Sequence, residues 1–206
     1  MTVEWVEVDG DEYPATHGDR VRDERVVDGK RVWHPRRSKA SALLVKGVEM
    51  PLDDSRVLYL GAGAGTTPSY FADTARAVYA VEFAPSPASR LVDVAETRGR
   101  LFPLFADARV PSEYSSVVEG VDVLYQDVAT RGQADVALKN AGFVRDGGHV
   151  FVVVKARSED VTAKPEEKYE EVADALEKEY DVKDVVDLSP FYDDHAVVVA
   201  RRRSQR

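Results

Sequence analysis

The sequence predicts an α/β fold in which a mostly parallel sheet is covered by helices on both faces. Three observations point to this fold. From residue 55 onward, short apolar segments alternate with polar segments of helical composition. The first apolar segment ends in three glycines at alternate positions, Gly61, Gly63 and Gly65. The last two apolar segments are joined by a short loop containing Pro190, which leaves no room for a helix between them.

Residues 1–50 predict a small N-terminal β domain with a connecting helix. Apolar and charged residues alternate over residues 3–8, as in a half-exposed strand. Asp28-Gly29 separates two β-prone segments and predicts a hairpin with a type I′ turn. We therefore expect an antiparallel β appendage at the start of the chain.

The connecting helix is predicted over residues 39–46. Ser38 is a suitable N-cap residue, and Gly47 suits the position just after the helix. Lys39 then lies in the first turn, where the helix dipole disfavours a cation. This unfavourable position makes Lys39 a candidate functional residue, although a solvated lysine is the simpler interpretation.

Residues 51–206 predict the main domain. Strands are expected at residues 57–60, 77–81, 101–105, 121–125, 150–154, 182–187 and 195–200. Helices are expected at residues 68–74, 86–99, 112–119, 132–144 and 165–180. A seven-stranded, Rossmann-like sheet with an antiparallel last strand is the architecture of class I S-adenosylmethionine-dependent methyltransferases.

A glycine-rich turn between a strand and a helix is typical of folds that bind nucleotides or nucleosides. A phosphate-binding P-loop is disfavoured, because Thr66-Thr67 follows the glycines and supplies no lysine. The glycines also miss the spacing of the dinucleotide fingerprint. Glu82 follows the first glycine by about 20 residues, where a carboxylate can bind both hydroxyls of a ribose. This pattern favours S-adenosylmethionine; a solvated glutamate at a strand end is the alternative.

Polar or aromatic side chains follow the other predicted strands, at the edge where such sheets bind ligands. Phe83 is a candidate for contact with an adenine face, and Asp107 for contact with its amine. Asp127 and Lys155 follow adjacent strands and should converge. A desolvated lysine beside a cationic sulfonium can take the proton of an attacking ribose hydroxyl. Asp127 would orient the lysine or the methyl donor; a plain ion pair is the alternative.

The composition excludes several kinds of site. The chain has no cysteine, so disulfides and thiolate metal sites are excluded, and four scattered histidines do not favour a histidine metal site. No segment reaches the roughly 20 consecutive apolar residues of a membrane span. No signal-peptide pattern opens the chain. We expect a cytoplasmic protein without a membrane partner.

The charge is acidic but uneven. The net charge is −9, yet residues 31–46 carry five bases and no acid. Arg201, Arg202, Arg203 and Arg206 form a second basic segment. A protein with this net negative charge binds nucleic acid poorly. Either the substrate is not nucleic acid, or partners and a local basic patch bring it in. The many acids, the excess of arginine over lysine and the absence of isoleucine suggest a salt-rich cytoplasm as a hypothesis.

Several short segments, in chain order, together resemble one family. They are residues 59–61 with 65–67, 81–83, 106–109, 126–129, 137–141, 155–158, 160–162 and 194–196. This set resembles fibrillarin, the family of RNA-guided ribose 2′-O-methyltransferases of box C/D ribonucleoproteins. No Gly-Arg-rich segment precedes residue 33, which resembles the short archaeal members.

The resemblance implies functional residues. It implies a catalytic group of Lys39, Asp127 and Lys155, with His195 as the fourth member and Asp194 as the alternative. Cofactor contacts are implied at Gly61, Thr66, Thr67, Glu82, Phe83, Asp107, Ala108, Asp127, Val128, Ala129 and Thr130.

Two departures from the family pattern are visible. The loop reads Gly-Ala-Gly-Ala-Gly without the usual serine before its last glycine. Thr130-Arg131 stands where the family usually has glutamine and proline, which leaves the Thr130 contact open.

The resemblance also implies partners. A box C/D guide RNA would select the nucleotide in rRNA or tRNA, a Nop-domain scaffold protein would dock this subunit, and a kink-turn-binding ribosomal-type protein would bind the guide. The expected function is therefore RNA-guided ribose 2′-O-methylation. The alternatives are a stand-alone S-adenosylmethionine-dependent hydroxyl methyltransferase, a non-catalytic structural subunit, and a nicotinamide oxidoreductase, which the glycine spacing disfavours.

Overall fold

The computed structural model describes residues 3–160 and 162–204. Two sequence-based assignments, Val161 in a family-like segment and Arg206 in the basic segment, lie outside the described residues. The strands are β1 (Glu4–Val8), β2 (Asp11–His17), β3 (Val26–Val27), β4 (Lys30–Val32), β5 (Arg56–Leu60), β6 (Ala77–Glu82), β7 (Leu101–Phe105), β8 (Val121–Gln126), β9 (Val144–Lys155), β10 (Tyr180–Asp187) and β11 (His195–Arg202). The α-helices are α1 (Lys39–Val45), α2 (Thr66–Thr74), α3 (Pro85–Glu96), α4 (Gln133–Lys139), α5 (Ala156–Glu159) and α6 (Pro165–Leu176).

The main sheet has seven strands in the order β10-β11-β9-β8-β5-β6-β7. Strands β5 to β9 pair in parallel, whereas β11 runs antiparallel to both β9 and β10. The predicted parallel sheet with an antiparallel last strand is confirmed. Because the central strands of a parallel sheet are covered on both faces, their side chains alternate between two apolar cores.

The two cores are visible along β5. Leu58 and Leu60 lie in one apolar cluster, to which α4 and α6 contribute. Val57 and Tyr59 lie in the other cluster, to which α1, α2 and α3 contribute. The near-continuous apolar sequence of this strand therefore reflects burial on both faces.

The N-terminal sheet is antiparallel, with the order β1-β2-β4-β3. Asp28 and Gly29, between β3 and β4, both have positive φ (50° and 76°), as a type I′ turn requires. Trp33 follows β4, is fully buried and packs in the second core of the main domain. The predicted division of the chain at residue 50 stays a prediction, since the two parts share this core.

A buried ionic network also joins the two sheets. The guanidinium of Arg31 is fully buried and lies 3.0 Å from Glu24 and 2.8 Å from Asp73. It also donates a hydrogen bond to the hydroxyl of Ser69 at 2.8 Å. Arg98 pairs with the second oxygen of Asp73 at 3.0 Å. Thus β4 is tied to α2 by charges that water does not reach.

The helix that carries Lys39 forms as predicted. The side chain of Ser38 accepts a hydrogen bond from the backbone N–H of Ser41 at 3.3 Å, which caps α1. Gly47 has a φ of 86° just after the helix. Lys39 is consequently the first residue of α1, next to the carboxyl edge of the main sheet.

Some predicted elements are wrong in extent or kind. No α-helix forms at residues 112–119; a 3₁₀ turn at Pro111–Glu113 is followed by turns, because the segment is rich in serine and valine and is followed by Gly120. The predicted helix at 132–144 stops at Lys139, and β9 begins at Val144, earlier than expected. The helix predicted to reach residue 180 ends at Leu176. The short helix α5 was not predicted.

None of the helices within the described residues is long and apolar enough to cross a membrane.

Replacement of Arg31 by methionine should lower the free energy of unfolding by about 3–5 kcal/mol, because buried Glu24 would lose its cation and buried Asp73 would keep only Arg98. Equilibrium unfolding in urea measures the change. Arg25→Met is the matched control, since Arg25 pairs with Asp9 at 2.6 Å but both side chains are exposed. We expect only a small loss for the control. Equal losses in the two variants would contradict the stabilising role of the network.

Candidate active site

A cavity of about 400 Å³ opens at the carboxyl edge of the main sheet, where β5, β6, β7 and β8 end. Most of the sequence-predicted site residues line it together. They are Gly61, Glu82, Phe83, Asp107, Ala108, Asp127, Val128, Ala129, Thr130 and Lys155. The cavity therefore lies where ligands bind in open α/β sheets.

The glycine loop allows two chain segments to approach closely. Gly61 has a φ of 79°, and a Cβ built on it would lie 2.8 Å from the carbonyl oxygen of Asp127. The N–H of Asp127 donates to the carbonyl of Leu60 at 2.8 Å. The loop after β8 therefore passes directly over Gly61, and only glycine fits there.

The side chain of Glu82 holds the glycine loop in place. Its carboxylate accepts hydrogen bonds from the N–H groups of Gly63 and Ala84, both at 2.8 Å. The residue is 8% exposed and lines the cavity. A carboxylate offers about four acceptor sites, so Glu82 can still bind hydroxyl groups of a ligand.

Phe83 and Asp107 lie at the rim of the cavity. Phe83 is 60% exposed, which leaves an aromatic face available to a planar ligand. Asp107 is bound by Arg109 through two side-chain contacts of 3.0 and 2.6 Å. The hydrogen bond from Arg109 holds the pKa of the Asp107 carboxyl below its usual range. The sequence interpretation missed Arg109, although an acid and a base two residues apart after a strand were a signal.

Asp127 lies between two lysines at the wall of the cavity. Lys39 Nζ is 3.1 Å from one carboxylate oxygen, and Lys155 Nζ is 2.7 Å from the other. Lys155 also donates to the carbonyl oxygen of Asp127 at 2.9 Å. The three side chains are only 15–17% exposed. The structure thus brings together the three residues that the resemblance singled out.

The three residues come from distant parts of the sequence. Lys39 begins α1, Asp127 follows β8, and Lys155 ends β9. The helix dipole disfavours Lys39 at that position, and the carboxylate of Asp127 offsets this cost. The ammonium of Lys39 also lies 5.0 Å from the ring centre of Tyr192, within the range of a cation–π contact. Tyr192 was missed because no local pattern marks it.

Tyrosine side chains form the wall behind the cluster. Burial is the main cause that raises the pKa of Tyr59, Tyr125 and Tyr192, and the nearby charge of Asp127 adds to it. These phenols stay neutral at physiological pH. The cluster therefore packs against uncharged aromatic rings rather than against further acids.

His195 and Asp194 are placed differently. His195 is the direct partner of Lys155 across β9 and β11, so the two side chains lie on the same face of the sheet. Its Nδ1 donates to the carbonyl oxygen of Asp193 at 2.6 Å. The carboxylate of Asp194 instead lies 2.8 Å from Arg157. Of the two candidates for a fourth catalytic residue, His195 is thus the cross-strand neighbour of Lys155.

Thr66 and Thr67 begin α2 and are not among the described residues that line the cavity. Thr66 accepts a hydrogen bond from Arg22 at 3.3 Å, and Thr67 donates to Ser38 at 3.1 Å. Arg22 also donates to the carbonyl of Ala64 at 3.1 Å. These contacts tie the glycine loop to the N-terminal segment. Cofactor binding by the two threonines stays a prediction.

A family model, a curated relative and two solved structures all point to the same family. A family model described as Fibrillarin matches residues 12–204. The chain is 50% identical over 200 residues to the Fibrillarin-like rRNA/tRNA 2′-O-methyltransferase of Halorubrum lacusprofundi, which covers 96% of this chain and 94% of that protein. It is similar to the structure of Aeropyrum pernix fibrillarin with natively bound S-adenosyl-L-methionine (TM-score 0.83, 40% identity, coverage 97% and 100%). It is also similar to a structure of the fibrillarin/Nop5p complex (TM-score 0.89, 37% identity, coverage 96% and 97%).

Replacement of Gly61 by alanine should destabilise the protein more than the same change at Gly63. Both glycines have positive φ, but a Cβ at Gly63 meets nothing within 4 Å, whereas one at Gly61 meets the backbone of Asp127. The overpacking should add about 1–3 kcal/mol to the loss at Gly61. Urea unfolding of both variants measures the difference. Equal losses would show that the close approach at Gly61 is unimportant.

Proposed function

Because this chain belongs to the fibrillarin family, we propose that it is an S-adenosylmethionine-dependent methyltransferase that modifies ribose 2′-hydroxyl groups of rRNA and tRNA. The observation that carries the proposal is the cluster in which Lys39 and Lys155 share the carboxylate of Asp127. It adjoins a cavity lined by the carboxylate of Glu82 and the exposed ring of Phe83.

The cavity suits the cofactor chemically. Glu82 supplies a carboxylate for the two ribose hydroxyls, and Phe83 supplies an aromatic face for the adenine. Asp107 supplies an acceptor for the adenine amine, and Gly61 leaves the backbone open to close approach. When bound, S-adenosylmethionine supplies an electrophilic methyl group beside the cluster. We assign the loop of Val128, Ala129 and Thr130 to cofactor contact as well.

Lys155 is assigned as the base that takes the proton of the ribose 2′-hydroxyl while the oxygen attacks the methyl group. General base catalysis of this kind typically contributes 10²–10⁴-fold. Asp127 orients Lys155 through the 2.7 Å contact and holds Lys39 at 3.1 Å. Lys39 is assigned to hold the substrate backbone, since it is the member of the cluster that belongs to the basic segment of residues 31–46.

His195 is assigned as the fourth member of the catalytic group. Its support is the direct pairing with Lys155 across β9 and β11. Asp194 is less suitable, because its carboxylate is engaged with Arg157.

Partners complete the proposal. The fibrillarin/Nop5p complex supports a Nop-domain scaffold protein as the docking partner. We further propose that a box C/D guide RNA selects the target and that a kink-turn-binding protein holds the guide. Residues 51–200 carry twenty-seven acids and fifteen bases, which repel phosphates. An RNA enzyme with this excess of acidic residues needs partners to deliver its substrate. We also propose that the protein works in the cytoplasm.

Replacement of Glu82 by alanine should weaken S-adenosylmethionine binding by about 1.5–3 kcal/mol, the scale for hydrogen bonds to a charged group. Isothermal titration calorimetry measures the affinity, and NADH serves as the competing cofactor class. Glu170→Ala, at an exposed position of α6, is the control and should bind normally. Unchanged affinity in Glu82→Ala would remove this residue from the site, and preferential binding of NADH would overturn the cofactor assignment.

Replacement of Lys155 by alanine should slow the methyl-transfer step about 10²–10⁴-fold, as for loss of a general base, while cofactor affinity stays the same. Asp127→Ala should reduce both the rate and the affinity, because its loop also lines the cofactor cavity. Single-turnover rates at saturating cofactor separate the two effects. A rate near that of the unmodified protein in Lys155→Ala would refute its role as the base.

The purified protein should bind the cofactor but methylate free RNA poorly. Activity should appear when the scaffold protein, the kink-turn-binding protein and a guide RNA are all added, and it should fall on the one nucleotide that the guide specifies. The measurement is transfer of labelled methyl to a short target RNA, with each component omitted in turn. Strong methylation by the isolated protein without a guide would indicate a stand-alone methyltransferase instead.

A further inference from the structure

The backbone of Lys155 has an unusual position at the end of β9. Its neighbour β8 ends at Gln126, which pairs with Val152, so β9 continues three residues beyond its partner. On the other edge, the N–H of Ala156 donates to Asp194 at 3.1 Å. Because backbone groups alternate in direction along a strand, the N–H and C=O of Lys155 point to the edge where β8 has ended.

The side chain of Gln133 occupies that edge. Its Oε1 accepts the N–H of Lys155 at 2.9 Å, and its Nε2 donates to the carbonyl of Lys155 at 3.2 Å. A single side-chain amide thereby makes both hydrogen bonds that a neighbouring strand would make. An apolar side chain at this position would remove both of these hydrogen bonds from the backbone of Lys155.

Gln133 is itself held in place by burial and by hydrogen bonds to its backbone. It is fully buried. Its backbone N–H donates to Glu159 at 2.7 Å, and the second oxygen of Glu159 accepts from Gly132 at 2.9 Å. Its carbonyl accepts from the side chain of Gln126 at 2.8 Å. Since Gln126 directly precedes Asp127, the same network touches the strand ends that carry both Asp127 and Lys155.

We propose that Gln133 is a positioning residue: its amide fixes the backbone of Lys155 and so keeps the ammonium in contact with Asp127. This proposal rests on the proposed role of Lys155 as the base. The ammonium of Lys155 lies 2.7 Å from Asp127, and the hydrogen bonds of Gln133 fix the backbone from which this long side chain extends. A misplacement of about 1 Å can lower a rate about 10²-fold.

The test compares single-turnover methyl transfer in the assembled particle at saturating S-adenosylmethionine. Gln133→Met has a similar length but cannot make either hydrogen bond. We expect its rate to fall about 10–10²-fold, with unchanged cofactor affinity by calorimetry. Thr74→Val is the matched control, because Thr74 is also buried and loses one hydrogen bond, to Phe71, far from the cluster. The control should keep its rate despite a loss of stability.

The double variant Gln133→Met with Lys155→Ala distinguishes positioning of Lys155 by Gln133 from a general disturbance of the structure. If Gln133 acts through Lys155, the double variant should be as slow as Lys155→Ala alone, since coupled residues are not additive. An additional 10–10²-fold loss in the double variant, or a normal rate in Gln133→Met, would overturn the proposal. A normal rate in Lys155→Ala would instead refute the proposed base. If Gln133→Met fails to fold, Gln133→Asn keeps the amide but is one methylene too short, and the same outcomes apply to it.

Discussion

Two lysine ammonium groups share one carboxylate, that of Asp127, and the architecture around the cavity serves to bring them there. The carboxylate has Lys39 on one oxygen and Lys155 on the other, with all three side chains mostly buried. Burial of charges is costly unless each is paired, so removal of Asp127 would leave both lysines without this partner. The close approach of the Asp127 backbone to Gly61 fixes the position of the carboxylate. A glycine loop that suits cofactor binding thus also fixes the proposed catalytic group.

The N-terminal part of the chain supplies one of the three residues of that cluster, Lys39 at the start of α1. Lys39 follows β4 after a short segment, and β4 is attached to α2 by the buried guanidinium of Arg31. Trp33, in the core shared with the main domain, holds the chain just before α1. The predicted N-terminal domain therefore contributes Lys39, on its connecting helix, to the proposed active site.

The sequence alone predicted the parallel sheet, the antiparallel last strand, the glycine loop and the strand-end residues Glu82, Asp127 and Lys155. These follow from local periodicity and from the rule that parallel strands end at one edge. Lys39 was noticed through its unfavourable helix position, but its partner Asp127 is 88 residues away. Tyr192 and Gln133 could not be predicted, because their roles come from tertiary contacts without a local pattern. The helix expected at residues 112–119 failed because its serines and valines do not sustain a helix without packing.

The central claim is that the Lys39–Asp127–Lys155 cluster directs methyl transfer to a ribose hydroxyl. The most direct measurement compares two target RNAs in the assembled particle, identical except that one carries 2′-deoxyribose at the guided nucleotide. Mass spectrometry of the digested nucleosides identifies the modified atom. We predict one 2′-O-methyl group on the ribose target and no methyl on the deoxyribose target. Methylation of the deoxyribose target, or of a base in either RNA, would contradict the claim.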